Sequence, residues 1–192
     1  MKYYLATTII LISLNQDVSS SESLPIIYQP NPDSPIEKVN VKADKALEQY
    51  SFLIGDWDVN ITWKPKNQKP LTYNAKWHNH WIIDGHAVMQ EWRGPYLTGM
   101  EIRYYNPKTK QWTGKNLYVN GDWKDVVAEW KNGEMIVKIL DAEDETGKFI
   151  NRETYYSIKK DSFKMKSDRS YDNETSWVDG DYIMDVIRSI KR

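Results

Sequence analysis

The chain of 192 residues contains no cysteine. This absence excludes disulfide bonds, thiol catalysis, thiolate metal sites and a lipid anchor on cysteine. An excess of positive charge is missing as well, because the net charge is -1 with 28% charged residues. Phosphate binding requires clustered Lys and Arg, so the composition argues against a nucleic-acid partner.

Sequence motifs of common enzyme classes are also absent. The chain has no Gly-x-Ser-x-Gly elbow, no phosphate-binding glycine loop and no Rossmann fingerprint. Carboxylates are plentiful, but no spacing in the sequence places two of them across a cleft. An enzyme is therefore the minority interpretation, and we predict no catalytic residue.

What the chain has in unusual amount is amphipathic aromatic residues. It carries nine Trp and thirteen Tyr against three Phe. Such side chains suit half-buried strands and cavity walls, where a polar tip needs a partner. At 40% hydrophobic residues, the length allows one sizeable core, and we predict a single folded domain.

The N-terminal segment has the organisation of an export signal. A basic start at Met1-Lys2 precedes the apolar residues 3–14, and Val18-Ser19-Ser20 offers small residues for cleavage. The apolar part is too short to span a bilayer as a helix. We predict a signal peptide over residues 1–20, no transmembrane segment after its removal, and a mature protein that is periplasmic or secreted.

The remainder divides into a linker and a domain. Residues 21–40 contain four prolines without periodicity, which predicts an extended linker. Residues 41–192 form the predicted domain. It begins with a helical pattern in which apolar residues recur at the spacing of one buried stripe: Ala43, Ala46, Leu47, Tyr50, Leu53 and Ile54. Gly55 is the residue type that ends a helix in a left-handed conformation.

From Trp57 onward the period changes to that of β-strands. Trp57, Val59 and Ile61 alternate with polar residues, which is typical of a strand with one wet face. The pattern repeats over ten segments joined mostly by short turns, among them a two-residue hairpin at Asp84-Gly85 and an acidic loop over residues 141–147. Ten such strands hide their edges best by closing into an up-and-down antiparallel barrel, with the helix at one end.

The ordered motifs resemble a known family. Phe52-Leu53-x-Gly55-x-Trp57 at a helix-to-strand junction is followed by Trp81-Ile82-Ile83-Asp84-Gly85-His86, by a hairpin from Arg103 to Trp112, and by Asp161-Ser162-Phe163. This set resembles the lipocalin-like bacterial domains of unknown function in the calycin group. The resemblance implies a closed barrel similar to lipocalins and fatty-acid-binding proteins.

The resemblance also suggests a structural pair. In lipocalins the tryptophan of the Gly-x-Trp motif is covered by an arginine from the end of the chain, and Trp57 and Arg188 match these two positions. Related barrels such as nitrobindins hold haem through a late histidine. This sequence has no histidine after His86, so we predict no haem and no other cofactor.

One hairpin brings metal-ligating residue types together. Pairing outward from Asp84-Gly85 places His78 opposite Glu91 and puts His80 on the same face. Two imidazoles and a carboxylate suit zinc or non-haem iron. The favoured alternative is that these residues form the wet outer face, because Trp77, Trp81, Val88 and Trp92 make the opposite face far more apolar.

Four polar residues lie inside aromatic-rich strand segments and are candidate ligand-binding residues: Arg103, Asn116, Arg152 and Arg169. The lumen of such a barrel is wide enough for one small ligand, and a buried guanidinium requires a carboxylate of the ligand or of the protein. For each arginine alone, exposure on the outer face is the more common arrangement.

The sequence therefore predicts an exported barrel that binds a small apolar or amphipathic molecule, an acidic one included, in its lumen. Two alternatives remain open. One is a barrel enzyme or metal protein that uses His78, His80 and Glu91. The other is a structural or protein-interaction module whose interior is filled by Trp and Tyr.

Overall fold

A computed structural model describes residues 38–64, 69–119 and 121–190, without the side chains of residues 180 and 181. The predicted signal peptide and residues 21–37 of the predicted linker lie outside the described residues. The described chain forms a short helix followed by ten antiparallel strands that close into a barrel. The predicted closed up-and-down barrel is therefore confirmed.

The helix spans Lys45–Leu53. The strands are β1 (Gly55–Trp63), β2 (Leu71–Ile82), β3 (Ala87–Arg93), β4 (Thr98–Asn106), β5 (Gln111–Tyr118), β6 (Lys124–Lys131), β7 (Glu134–Asp144), β8 (Gly147–Tyr156), β9 (Ser162–Ser170) and β10 (Val178–Arg188). Each strand pairs with the next along the chain, and β1 pairs with β10 to close the barrel. The closing register runs from Trp57 opposite Arg188 to Trp63 opposite Tyr182.

The barrel has two different ends. The closed end is the one where β1 begins at Gly55 and β10 ends at Arg188, and the helix lies there. The open end is the one where Trp63 pairs with Tyr182. Alternate residues point inward along every strand, as the sequence pattern predicts. In β1 these are Trp57, Val59 and Ile61, all at most 1% exposed. Side chains from all around the barrel therefore meet in one interior.

The helix differs from the prediction in type and in its end. It is a 3₁₀ helix, whose three residues per turn stack Leu47, Tyr50 and Leu53 on one buried line. The Asp44 carboxylate caps its start by accepting a hydrogen bond from the Ala46 amide at 2.9 Å. The helix ends at Leu53 with Ile54 as its extended C-cap, and Gly55, which has the predicted positive φ at 123°, is already the first residue of β1.

Two turns also differ from prediction. The β2–β3 register is as predicted, but the ladder ends at Ile82 opposite Ala87, because Ile83 as well as Asp84 adopts a positive φ of 51°. The predicted acidic loop is largely strand, since β7 continues to Asp144. An irregularity between Ile139 and Ala142 shifts the register there. The sequence pattern missed this extension because a bulge breaks the two-residue alternation.

The ends of the described chain have further contacts of note. The Asn40 amide donates to the Gly85 carbonyl at 3.1 Å, so the last residues of the predicted linker touch the β2–β3 turn.

Among the described residues, no helix is both long and apolar enough to cross a membrane.

Candidate ligand-binding cavity

The closed end of the barrel is filled by aromatic side chains. The ring of Phe163 lies 5.4 Å from that of Phe52 and 5.0 Å from that of Trp57, in edge-to-face geometry. Tyr50 packs against Trp112 at 4.6 Å between ring centroids. Such contacts add to the burial of large apolar surface. This half of the interior therefore has no room for a guest and serves as the core.

The Arg188 side chain seals this end. The Arg188 guanidinium lies 4.1 Å over the Trp57 ring and donates to the carbonyls of Ile54 at 3.1 Å and Lys160 at 2.9 Å. Its Nε donates to Asp161 at 2.8 Å. A Cβ on Gly55 would lie 2.4 Å from the Arg188 Nη1, so a larger residue there would displace the guanidinium. The guanidinium caps open carbonyls while it covers the indole.

The open end, in contrast, contains a cavity of about 360 Å³. Its apolar wall comes from inward-facing side chains on several strands: Trp63, Trp77, Trp92, Ile139, Phe149, Tyr155 and Met184. The floor, toward the barrel centre, is polar and includes Glu101, Tyr118 and Glu153. An apolar pocket of this size with a few convergent polar groups is the usual form of a small-molecule site.

Below the floor lies a buried ion pair. Arg103 is 1% exposed and donates from Nη2 to Glu101 Oε2 at 2.7 Å. Its Nη1 donates to the side-chain oxygen of Asn116 at 2.7 Å. The second oxygen of Glu101 accepts from the Tyr118 hydroxyl at 2.6 Å. The protein itself therefore satisfies the charge of Arg103, as a buried guanidinium requires.

Glu153 carries the other carboxyl group of this floor, and its surroundings differ from those of Glu101. It accepts a hydrogen bond from the Tyr155 hydroxyl at 2.9 Å, and the Asn151 side-chain amide lies at 3.5 Å. Within the described part of the chain, no Lys or Arg side chain forms an ion pair with it. Glu153 keeps some accessible surface because its side chain faces the cavity.

The electrostatics of the floor follow from burial and from this charge pattern. Burial, and then the negative charge of Glu101, raises the pKa of Glu153 to about 7. Burial lowers the pKa of Arg103, but the combined charges of Glu101, Tyr50, Tyr155 and Glu153 outweigh it and raise that pKa above its usual range. Burial also raises the pKa of Tyr118 and of Tyr155 well above the ordinary value. Both hydroxyls therefore stay protonated and donate.

Arg169 is the candidate residue that reaches the cavity wall. It stands near the rim, where its Nη1 donates to Asp144 at 2.8 Å and its guanidinium lies 4.8 Å from the centre of the Phe149 ring. Lys124 also lines the cavity and donates to the Asp141 carbonyl at 3.1 Å. Both rim cations thus have protein partners.

Arg152 lies on the outer face of the barrel, away from the other three candidates. Its guanidinium donates to Asp168 at 2.9 Å and stacks over the Trp177 ring at 3.8 Å. The segment between β9 and β10 covers this outer surface, which explains why Asp168 is 4% exposed although it points outward. The structure therefore brings Arg103 and Asn116 together and leaves Arg152 elsewhere.

The predicted pairing of His78 with Glu91 is present, and the three residues lie on the outer face. His78 contacts Asp56 and Glu91 contacts Arg93, while the two histidine rings are 5.3 Å apart. The opposite face is buried as the favoured interpretation states: Trp77, Trp81, Val88 and Trp92 are at most 4% exposed. Across the described ranges, no group of three His, Asp or Glu is placed to hold a metal ion.

A larger hollow of about 850 Å³ lies on the outer surface of β10, β1 and β2. Its walls are exposed strand residues, and two ion pairs cross them: Lys76 with Asp58 and Lys164 with Asp185. Its charged side chains are open to solvent, which screens such pairs. The cavity inside the barrel, with aromatic walls and a polar floor, is therefore the better candidate site.

Sequence reasoning missed the residues that define the floor, Glu101, Tyr118 and Glu153, and the wall residue Tyr155, whose hydroxyl donates to Glu153. Glu101 stands two positions before Arg103 on the same face of β4, so the two-residue period was a usable signal. Glu153 gave no such signal. The outward residues Ile150 and Tyr156 are as apolar as the inward ones, so the pattern of β8 does not show which face is inside.

Comparison with known proteins supports the fold. No protein-family model and no curated protein matches the chain. The S-type phycobiliprotein lyase CPES from Guillardia theta has a similar structure, with a TM-score of 0.53 and 10% sequence identity over 77% of this chain and 94% of that one. Rv2717c from M. tuberculosis has a TM-score of 0.51 and 12% identity over 77% and 99%, respectively.

Both neighbours are lipocalin-like barrels of the calycin type, and this chain shares their fold. At such low sequence identity the likeness extends to the fold alone. The narrower resemblance to the bacterial family with the Phe-Leu-x-Gly-x-Trp opening stays a prediction.

Proposed function

We propose that the protein binds a small apolar or amphipathic molecule non-covalently in the cavity at the open end of the barrel. The observation that supports this most is the cavity itself, about 360 Å³ between aromatic walls and a polar floor. The likeness in fold to a phycobiliprotein lyase is compatible with a small-molecule guest. Export to the periplasm or the medium belongs to the same proposal and is supported by the pattern of residues 1–20.

The position of the cavity explains why one end of the barrel is suited to binding. The packed aromatic core and the Arg188 seal hold the closed end rigid. A rigid end fixes the strands that carry Glu101, Glu153 and the wall aromatics, so a guest meets a preformed site. The guest gains from burial of its apolar part against Trp63, Trp77 and Trp92.

A plug variant tests the proposal. Ala142 lines the cavity near the rim, so Ala142→Trp places a large side chain where the guest would sit. We expect the neutral fluorescent probe N-phenyl-1-naphthylamine to bind the natural protein at one saturable site and to lose at least about tenfold in affinity in the variant. The matched control is Glu129→Trp, which adds the same side chain on the exposed outer face of β6.

Native mass spectrometry of the protein purified from its own host is a second test of the proposal. A co-purified mass that disappears in Ala142→Trp and stays in Glu129→Trp identifies the guest and supports the proposal. Absence of saturable probe binding, together with a bare protein mass, would contradict it and favour a filled structural module.

A further inference from the structure

The charges of the cavity floor do not balance within the protein. Two carboxyl groups, Glu101 and Glu153, surround one guanidinium, that of Arg103. Arg103 lies next to Glu101, and both Glu101 oxygens are engaged, one by Arg103 and one by the Tyr118 hydroxyl. An ionised Glu153 would thus leave one buried negative charge without a cation, which is costly in a low-dielectric interior.

The free hydrogen-bonding capacity of the floor is also of one kind. A carboxylate has about four acceptor sites, and Glu153 uses one for the Tyr155 hydroxyl and one for the distant Asn151 amide. The hydroxyls of Tyr118 and Tyr155 already donate to carboxylates. What the floor offers a guest is therefore acceptor capacity and negative charge, whereas the indole N–H donors without a partner, those of Trp77 and Trp92, belong to side chains of the wall.

The cations near the cavity do not change this result. Arg103 is held by Glu101 and Asn116 under the floor. At the rim, Arg169 is paired with Asp144 and Lys124 bonds to a backbone carbonyl. An acidic head that entered the cavity would meet Glu153 at the bottom without a free cation beside it.

We infer that the guest carries a protonated amine, or another nitrogen bearing N–H groups, which bonds to Glu153 while its apolar part lies along the tryptophan wall. This inference rests on the proposed function and narrows its ligand class. The charge of the nitrogen would offset the negative charge that an ionised Glu153 places beside Glu101. A charge-assisted N–H to carboxylate bond away from water is among the strong hydrogen bonds of proteins. Trp77 and Trp92 line the same cavity and would cover the apolar part of the guest.

Three ligands with the same eight-carbon chain test the inference: octylamine, octanol and octanoate. Affinities are measured by displacement of N-phenyl-1-naphthylamine from the full chain. We expect octylamine to bind at least about tenfold more tightly than octanol, and octanoate to bind most weakly. In Glu153→Gln the advantage of octylamine should disappear and octanoate should gain. Glu129→Gln, on the exposed outer face of β6, should leave all three affinities unchanged.

The pH dependence of octylamine binding tests the charge of Glu153, because a purely steric role of this residue would produce no such dependence. Octylamine stays protonated throughout, whereas Glu153 loses its proton as the pH rises through the value set by burial, Glu101, Arg103 and Tyr155. We expect octylamine affinity in the natural protein to rise between about pH 5 and about pH 8, and to stay flat in Glu153→Gln. This measurement needs no variant to show its main effect.

The outcomes separate the two proposals. If the neutral probe binds but octylamine shows no preference over octanol, or octanoate binds best, the inference about the nitrogen is wrong and the proposed function stands. If neither the probe nor any of the three ligands binds, both are wrong. An unchanged order of affinities in Glu153→Gln also overturns the inference, even where octylamine binds best.

Discussion

The closed end and the open end of the barrel are formed by the same ten strands but use their inward positions differently. At the closed end, inward positions carry Trp57, Trp112 and Phe163, and these rings pack against the helix. Toward the open end, inward positions carry Glu101 and Glu153, and a cavity remains above them. Stability is therefore concentrated at one end, so that the other end can carry buried charge and empty volume.

Two tryptophans on β1 test most strongly whether the closed end contributes more to stability than the open end. Trp57 is fully buried at the closed end, and Trp63 is half-buried at the open end of the same strand. We expect Trp57→Ala to lower the free energy of unfolding by about 3 to 5 kcal/mol, and Trp63→Ala by about 1 kcal/mol. Urea unfolding followed by circular dichroism measures both. Equal losses would show that the two ends do not differ as the packing indicates.

A second prediction concerns the buried charge of the open end. The pKa of Glu153, about 7 in the folded protein, is raised above its ordinary value of 4.5. The folded state then binds more protons than the unfolded state between these values, so stability falls as the pH rises through this window. We expect Glu153→Gln to remove this fall and to be more stable than the natural protein by on the order of 2 kcal/mol at pH 8.

Urea unfolding at several pH values measures this effect. Below the ordinary pKa of a glutamate, the two proteins should have similar stability, because Glu153 is then protonated in both states. The control Glu129→Gln should follow the natural protein throughout. A gain in stability of Glu153→Gln that is the same at every pH would contradict the assignment to ionisation.

The third prediction compares two glycines at opposite ends. Gly55 has φ of 123° and Gly147 has φ of 130°, so alanine is strained at both. An added Cβ at Gly55 lies 2.4 Å from the Arg188 guanidinium, whereas none of the surrounding atoms lies within 4 Å at Gly147. We expect Gly147→Ala to cost about 1 kcal/mol and Gly55→Ala about 2 kcal/mol.

The cause of the extra cost is tested in an Arg188→Ala background. There the clash is removed, and the two glycine substitutions should cost the same within the error of thermal unfolding. A persistent difference would assign the cost at Gly55 to the helix-to-strand junction and not to Arg188.

The sequence allowed most of the closed end to be predicted. Alternation along β1 fixed the inward positions of Trp57, Val59 and Ile61, because one face of that strand is uniformly polar. The resemblance to lipocalins pointed to Trp57 and Arg188, and the structure places them 4.1 Å apart. Local pattern was sufficient here because burial at this end follows hydrophobicity.

The open end could not be predicted in the same way. Its floor breaks the rule that inward residues are apolar, so the alternation of β8 did not single out Glu153. Arg152 appeared to be the inward candidate, but the segment that ends with Trp177 covers it from outside. The shift of register between Ile139 and Ala142 adds to the difficulty. Which face of β8 points inward depends on contacts distant in sequence, which no local pattern contains.

The pairing of β1 with β10 has a consequence for how the chain acquires its structure. The first and last strands must find each other across nearly the whole length of the domain, and contacts so distant in sequence slow folding. Until β10 is available, β1 and β9 each present an unpaired border along which a second molecule can add. The folding chain therefore remains prone to association through its open strand edges until its final strand is in place.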